Sequence, residues 1–393
     1  MYDLIRPLRS LVKLQSVHID NIVFYLHYKP TVTFLIGFSI LVASRQYFGE
    51  PIDCQFPGYP HGELDNYCYV QATFAREQTG TRRGSGHAEE ENVRFFSYYS
   101  WVFIALFAQA VFFYIPRYMW KGWEGGRVKL LAIGAECPIL SEDCIEKQTR
   151  RLSKYFTMHL HTHNYYAYKY FFCELLNLIN IGCQMIFLNR FIGEGYQSYG
   201  IDVIFPKHEN EGHGIRELFP INTICIFEKY GLTGKKEKLE GICLLTHNPF
   251  NKVIYGFLWF WMQFLVIVTI MVMLYRITTL LSSCFRFYVF RYSTTMNRAD
   301  EVRAAFNKLQ IGDWFILILL EKNVNREVFK QLITELAHCT DDDGSHPELI
   351  SQHVALYRTS VLRCKSVCIA IGKNCMSTCN NRFPVMLMRV VRY

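Results

Sequence analysis

An all-α membrane protein with four transmembrane helices is the fold class that the sequence predicts, and three observations predict it. Four apolar runs are each long enough to span a bilayer, the loops between them alternate in charge, and the two acidic loops each hold a pair of cysteines. Of the 393 residues, 51% are hydrophobic and 16% aromatic, against 19% charged, a balance richer in apolar residues than soluble domains have. The mean hydropathy is only slightly positive. The case therefore rests on clustering, since a helix needs about 20 consecutive apolar residues to cross ~30 Å of hydrocarbon.

The first 27 residues carry Leu4, Ile5, Leu8, Leu11 and Val12 against Arg6, Arg9 and Lys13, an amphipathic pattern suited to the inner leaflet. Arg6 and Arg9 precede a polar stretch, so no removable signal peptide is expected. The first span covers residues 28–48, marked off by Lys29 and Arg45. A loop at 49–97 follows, then a second span at 98–120 with Pro116 near its end. After the loop at 121–167, the third span covers 168–191 and places Glu174, Asn177, Asn180 and Gln184 at helical spacing on one face. The loop at 192–252 leads to the fourth and most apolar span, 253–281.

Sidedness follows from the basic residues. The 121–167 loop carries Arg127, Lys129, Lys147, Arg150, Arg151 and Lys154 and is expected in the cytoplasm with both termini. The 49–97 loop, with Glu89, Glu90 and Glu91, and the 192–252 loop, acid-rich despite Lys235, Lys236 and Lys238, are expected outside. Residues 282–393 form a cytoplasmic helical region and tail. Stretches 300–310 and 326–336 have helical composition, separated by Gly312-Asp313-Trp314 and an apolar run at 315–320 too short to span.

Sorted by this topology, the cysteines Cys54 and Cys68 of one outer loop and Cys225 and Cys243 of the other read as a disulfide framework. Four cysteines allow three connectivities, and the residues alone do not choose among them.

Several stretches match one family in order and at corresponding topological positions. Tyr98-Tyr99-Ser100-Trp101-Val102, with Pro116 following, is similar to the innexin signature Tyr-Tyr-Gln-Trp-Val, from which Ser100 departs. The stretches Ala43-Ser44-Arg45-Gln46-Tyr47, Pro51-Ile52-Asp53-Cys54, Trp120-Lys121-Gly122-Trp123-Glu124-Gly125-Gly126, Cys173-Glu174-Leu175-Leu176 and Phe257-Leu258-Trp259-Phe260-Trp261 match as well. The resemblance covers roughly residues 28–337, and connexins fit less well because their outer loops carry three cysteines each. It implies a gap junction subunit in the plasma membrane, assembled as an octameric ring, homomeric or mixed with other innexins, that docks on an opposing ring and passes ions and small metabolites. It also implies the pairs Cys54 with Cys243 and Cys68 with Cys225, and an N-terminal pore mouth at Leu4, Ile5, Arg6, Leu8 and Arg9. The alternative within transport is a non-docking, pannexin-like hemichannel.

Other features admit two readings. Pro116 is either a gating hinge or a static bend. The polar face of the third span either lines water or bonds neighbouring helices. His159, His161 and His163 alternate, a spacing that suits no helical zinc site and leaves a pH-responsive cluster. In the tail, Cys364, Cys368, Cys375 and Cys379 suit lipidation as well as zinc. No metal, cofactor or enzymatic activity is expected, since phosphate-binding loops, nucleophile elbows and zincin helices are absent from the sequence. The net charge of +8 is dispersed without a basic stripe, which argues against nucleic acid and leaves membrane lipid as the surrounding partner. Beyond the channel, a pore-less four-pass adhesion protein would also use linked outer loops, and a metalloenzyme would use the histidines.

Overall fold

The computed structural model describes residues 17–338 apart from 61, 72, 77–92, 136–140, 206–217 and 232–233. The N-terminal residues Leu4, Ile5, Arg6, Leu8 and Arg9, the acidic run at 89–91 and the tail cysteines lie outside the described residues. The helices in chain order are α1 (Ile22–Tyr28), α2 (Pro30–Phe48), α3 (Asp65–Val70), α4 (Val102–Glu124), α5 (Arg127–Ala132), α6 (Glu142–His159) and α7 (Asn164–Ile192). They continue with α8 (Tyr199–Ile204), α9 (Asn248–Leu281), α10 (Ser283–Ser293), α11 (Ala299–Lys308), α12 (Ile311–Glu321) and α13 (Arg326–His338). Four stretches are long and apolar enough to cross a membrane: α1 with α2, α4, α7 and α9.

Each spanning helix reaches beyond the bounds expected from hydropathy. Pro30 occupies the first turn of α2, where its missing N–H costs nothing, and α1 precedes it. Tyr98 and Tyr99 stand before α4 in a short 3₁₀ turn, because their hydroxyls are engaged elsewhere. The helix continues through Pro116 to Glu124 and ends where Gly125 and Gly126 adopt positive φ. The Glu124 carboxylate then accepts from the backbone N–H groups of Gly126 and Val128 at 2.7 and 2.8 Å, so the matching stretch 120–126 is a helix stop joined to a helix start.

The chain divides into two compact units, Met1–Leu26 with Ile115–Leu178 and Val268–Tyr393, and His27–Tyr114 with Ile179–Ile267. In the first, α12 corrects the reading of residues 312–320 as a separator. Gln310 and Asp313 form a reciprocal capping box that starts a helix at Ile311, and Trp314, Phe315, Ile316, Leu317, Leu319 and Leu320 are all buried along it. A helix apolar on every side belongs inside a core.

The second unit contains β-structure that the hydropathy reading treats as loop. Strands β1 (Asp53–Gln55), β2 (Thr73–Arg76), β3 (Val93–Phe96), β4 (Asn222–Tyr230) and β5 (Lys236–Leu244) form an antiparallel sheet in the order β1-β5-β4-β2-β3. Strands β4 and β5 make a hairpin in register from Asn222 opposite Leu244 to Tyr230 opposite Lys236. Thr223 and Cys225 on one strand and Gly241 and Cys243 on the other turn to the buried face, the period-2 pattern of a half-covered sheet.

Candidate functional site

The outer sheet brings all four loop cysteines together. Cys54 on β1 lies directly opposite Cys243 on β5, and the two are joined by a disulfide. Cys225 projects from the same buried face of β4, and α3 lays Cys68 against it to close the second disulfide. Both loops are thus folded into one sheet and stapled twice. Around the staples, Phe227 packs edge-on against Phe56, Tyr59 and Tyr67, so residues of the first loop cover the hairpin of the second. Gly241 leaves room for the Phe56 ring, which would stand 2.5 Å from an added Cβ. The exposed end of the hairpin is charged, with Glu228 bridged to Lys236 at 3.1 Å and to Lys238 at 3.6 Å, and Lys229 to Glu237 at 3.7 Å. The Lys236 hydrogen bond and charge hold the Glu228 carboxyl below its ordinary range.

The signature residues serve this sheet. Tyr98 donates its hydroxyl proton to the Leu218 carbonyl, with Asn248 Oδ1 at 3.4 Å, and Tyr99 donates to the carbonyls of Cys68 and Gln71 at 3.0 and 3.1 Å. Burial pushes the Tyr99 hydroxyl pKa up, so it stays a protonated donor. Val102 is buried and Trp101 is exposed on the surface of the subunit. Ser100 bonds the Ser97 carbonyl, so its departure from the signature leaves both tyrosine anchors in place.

The polar residues of the third span are turned inward. In the helical unit, Glu174 is 3% exposed and receives a two-pronged bond from Arg276 of α9, Nε to Oε2 at 2.6 Å and Nη2 to Oε1 at 2.9 Å. Asn21 adds its Nδ2 to Glu174 Oε1 at 2.6 Å, and the guanidinium of Arg276 lies against the rings of Tyr170, Phe171, Tyr275 and Phe315. Asn177 is likewise buried. In the sheet-bearing unit, Gln184 accepts from Gln109 of α4 at 3.0 Å and donates to Asn180 at 3.4 Å. Glu174, Asn177 and Gln184 are therefore buried within the subunit. Glu174 and Gln184 bond neighbouring helices, whereas Asn180 is half-buried.

Sequence reasoning missed the partners of these groups. Residues 18–21, just before α1, are tied down one after another. His18 exchanges two backbone bonds with the Asn323 side chain at 2.6 and 2.7 Å, the Ile19 carbonyl accepts from Trp120, Asp20 pairs with Arg117 at 2.8 Å, and the Asn21 N–H bonds the Tyr170 hydroxyl. Arg276 inside an apolar helix was the signal available, since an intramembrane charge requires a partner.

Two of the three histidines, His161 and His163, converge on Asp313. His163, 2% exposed, bonds Asp313 Oδ1 through Nδ1 at 2.6 Å and the Tyr155 hydroxyl through Nε2 at 3.0 Å. The backbone N–H of His161 points at the same carboxylate, while His159 stacks on Tyr155 at the surface. Burial opposes ionisation of Asp313, but hydrogen bonds from His161, His163 and the Gln310 backbone outweigh it and lower the carboxyl to about 2. Asn164 bonds Gln310, and Gly312 sits directly on the His163–Asn164 backbone. This clasp fastens the start of α12 to the start of α7. The sulfurs of Cys54, Cys68 and Cys243 lie close enough together to suggest a metal, yet all three are committed to disulfides.

Comparison with known proteins adds a family to this geometry. Residues 20–340 match the family model described as Innexin. The chain is similar to innexin inx2 of Schistocerca americana, 40% identical over 350 residues that cover 86% of this chain and 98% of that protein. It is also similar to innexin inx2 of Drosophila melanogaster, 38% identical, and to innexin shaking-B of the same species, 36% identical; each covers 88% of this chain, and 98% and 97% of the relatives respectively.

Proposed function

The chain belongs to the innexin family, and on that premise we propose that it is a subunit of gap junction channels that pass ions and small metabolites passively between adjacent cells. The observation that carries this reading is the outer sheet. Two loops far apart in sequence are joined by Cys54–Cys243 and Cys68–Cys225 into one preorganised face. A rigid face loses little entropy on meeting its counterpart in an opposing membrane. The activity is conduction rather than catalysis.

In this reading both termini and the 121–167 loop are cytoplasmic, and subunits ring the pore as an octamer, alone or mixed with other innexins, embedded in plasma-membrane lipid. The opposing ring on the adjacent cell is the second partner. Leu4, Ile5, Arg6, Leu8 and Arg9 form the pore mouth. Pro116 is a static bend in a continuous helix, supported by the run of α4 to Glu124. With Glu174, Asn177 and Gln184 buried, the third-span face leaves Asn180, which is half-buried, as its member nearest to a water-facing position.

Electrical coupling between paired cells that express only this chain tests the proposal, with whole-cell conductance of single cells as the control. Junctional current that vanishes in Cys54→Ser supports a docking channel. Single-cell current without coupling would overturn docking and indicate a hemichannel of pannexin type, and surface delivery with neither current would overturn the self-sufficient channel.

A further inference from the structure

The two outer disulfides are not independent. The Sγ atoms of Cys54, Cys68 and Cys243 all lie within 4.8 Å of one another, whereas Cys225 is outside that mutual set. The sheet explains the grouping, because β1 and β5 place Cys54 and Cys243 opposite each other and α3 sets Cys68 over the same buried face. All three sulfurs are buried, so the nucleophile nearest to each bond is a sulfur of this chain rather than a molecule from solution.

We propose that Cys54, Cys68 and Cys243 form a disulfide-exchange site in which the native pairing is selected, with Cys225 as the residue that ends the exchange. Whenever Cys68 is free, its thiolate attacks Sγ of Cys54 or Cys243. The new S–S bond forms as the old one breaks, and the electron pair leaves on the displaced sulfur as a thiolate. Nothing is oxidised overall, so the reaction runs in both directions among three pairings. Closure of Cys68 on Cys225 consumes an external disulfide, which is reduced to its two thiols, and takes the attacking group out of the set. The inference does not depend on whether rings dock.

The site predicts an asymmetry between two single substitutions in the full-length, detergent-purified protein. Each variant is held near the ordinary thiol pKa, about pH 8.5, quenched with acid, alkylated and mapped by peptide mass spectrometry. In Cys225→Ser, alkylation is expected on Cys54 and Cys243 as well as on Cys68, with Cys54–Cys68 or Cys68–Cys243 bonds recovered. In Cys68→Ser, Cys225 alone of the outer cysteines is expected to be alkylated. A Cys225→Ser protein that holds only Cys54–Cys243, with Cys68 uniformly alkylated, would overturn the proposal. Should that variant fail to fold, the unsubstituted protein treated with less than one equivalent of a dithiol reductant gives the same reading. Cross-paired bonds in singly reduced molecules support exchange, and native bonds alone refute it.

Discussion

Glu174 and Arg276 show how one residue's chemistry depends on another 102 positions away. Each is an intramembrane charge that would be costly alone, and together they form a buried, two-pronged pair. Breaking such a pair from one side strands a charge, at a cost of about 3–5 kcal/mol. Glu174→Gln is therefore expected to lower the thermal midpoint of the detergent-purified protein more than the double variant Glu174→Gln/Arg276→Gln does. Single effects that simply add in the double variant would deny the coupling. The hydropathy pattern marks Glu174 as anomalous and says nothing of Arg276 as its partner, because periodicity describes one helix at a time. Asp313 gives a second prediction at this scale. Its folded pKa, about 2, lies below the ~3.9 of an unfolded aspartate, so its contribution is complete above about pH 4 and lost as pH falls through 2. The stability gap between the native protein and Asp313→Asn, followed by thermal melting, should narrow below pH 4; a gap unchanged down to pH 2 would remove the carboxylate from the clasp.

Among elements, the spanning helices were legible because a long apolar run has few other solutions, and their ends were not, because caps and tyrosine anchors set them. Helix α12 was misread for a related reason. A short apolar run carries no period that separates strand, separator and buried helix, and its capping box depends on Gln310 and Asp313 satisfying each other's backbone. The β4–β5 hairpin was hidden by charge, since Lys236, Glu237 and Lys238 obscure the alternation that Cys225, Gly241 and Cys243 keep on the buried face. Gly312 states what α12 requires of its seat. A Cβ there would stand 2.1 Å from the His163 carbonyl carbon, and that neighbour is backbone with little freedom to move. Gly312→Ala is expected to destabilise the protein by about 1–3 kcal/mol, in the range of overpacked cores. Limited proteolysis would register it as faster cleavage between α12 and α13, and unchanged cleavage would show that the seat yields without cost.

At the scale of the whole molecule, the staples and the spans answer to different physics. Insertion depends on four apolar helices whose backbone polar groups are satisfied within each helix, and none of that requires a disulfide. The sheet depends on joining residues 189 and 157 positions apart, where each cross-link removes conformational freedom that the unlinked outer loops would keep. Loop closure cost grows only slowly with length, so either bond alone should order the outer face partly and neither should alter delivery of the helices. Cys54→Ser and Cys68→Ser chains are thus expected at the cell surface in amounts close to the native chain, by surface biotinylation, while junctional conductance between paired cells falls to background. A variant retained inside the cell would mean that the sheet is needed before the chain is released to the surface. Tyr99→Phe tests the same division without touching a sulfur. Loss of its bonds to the carbonyls of Cys68 and Gln71 should cost about 1–3 kcal/mol at the outer sheet, so coupling weakens while surface amount holds.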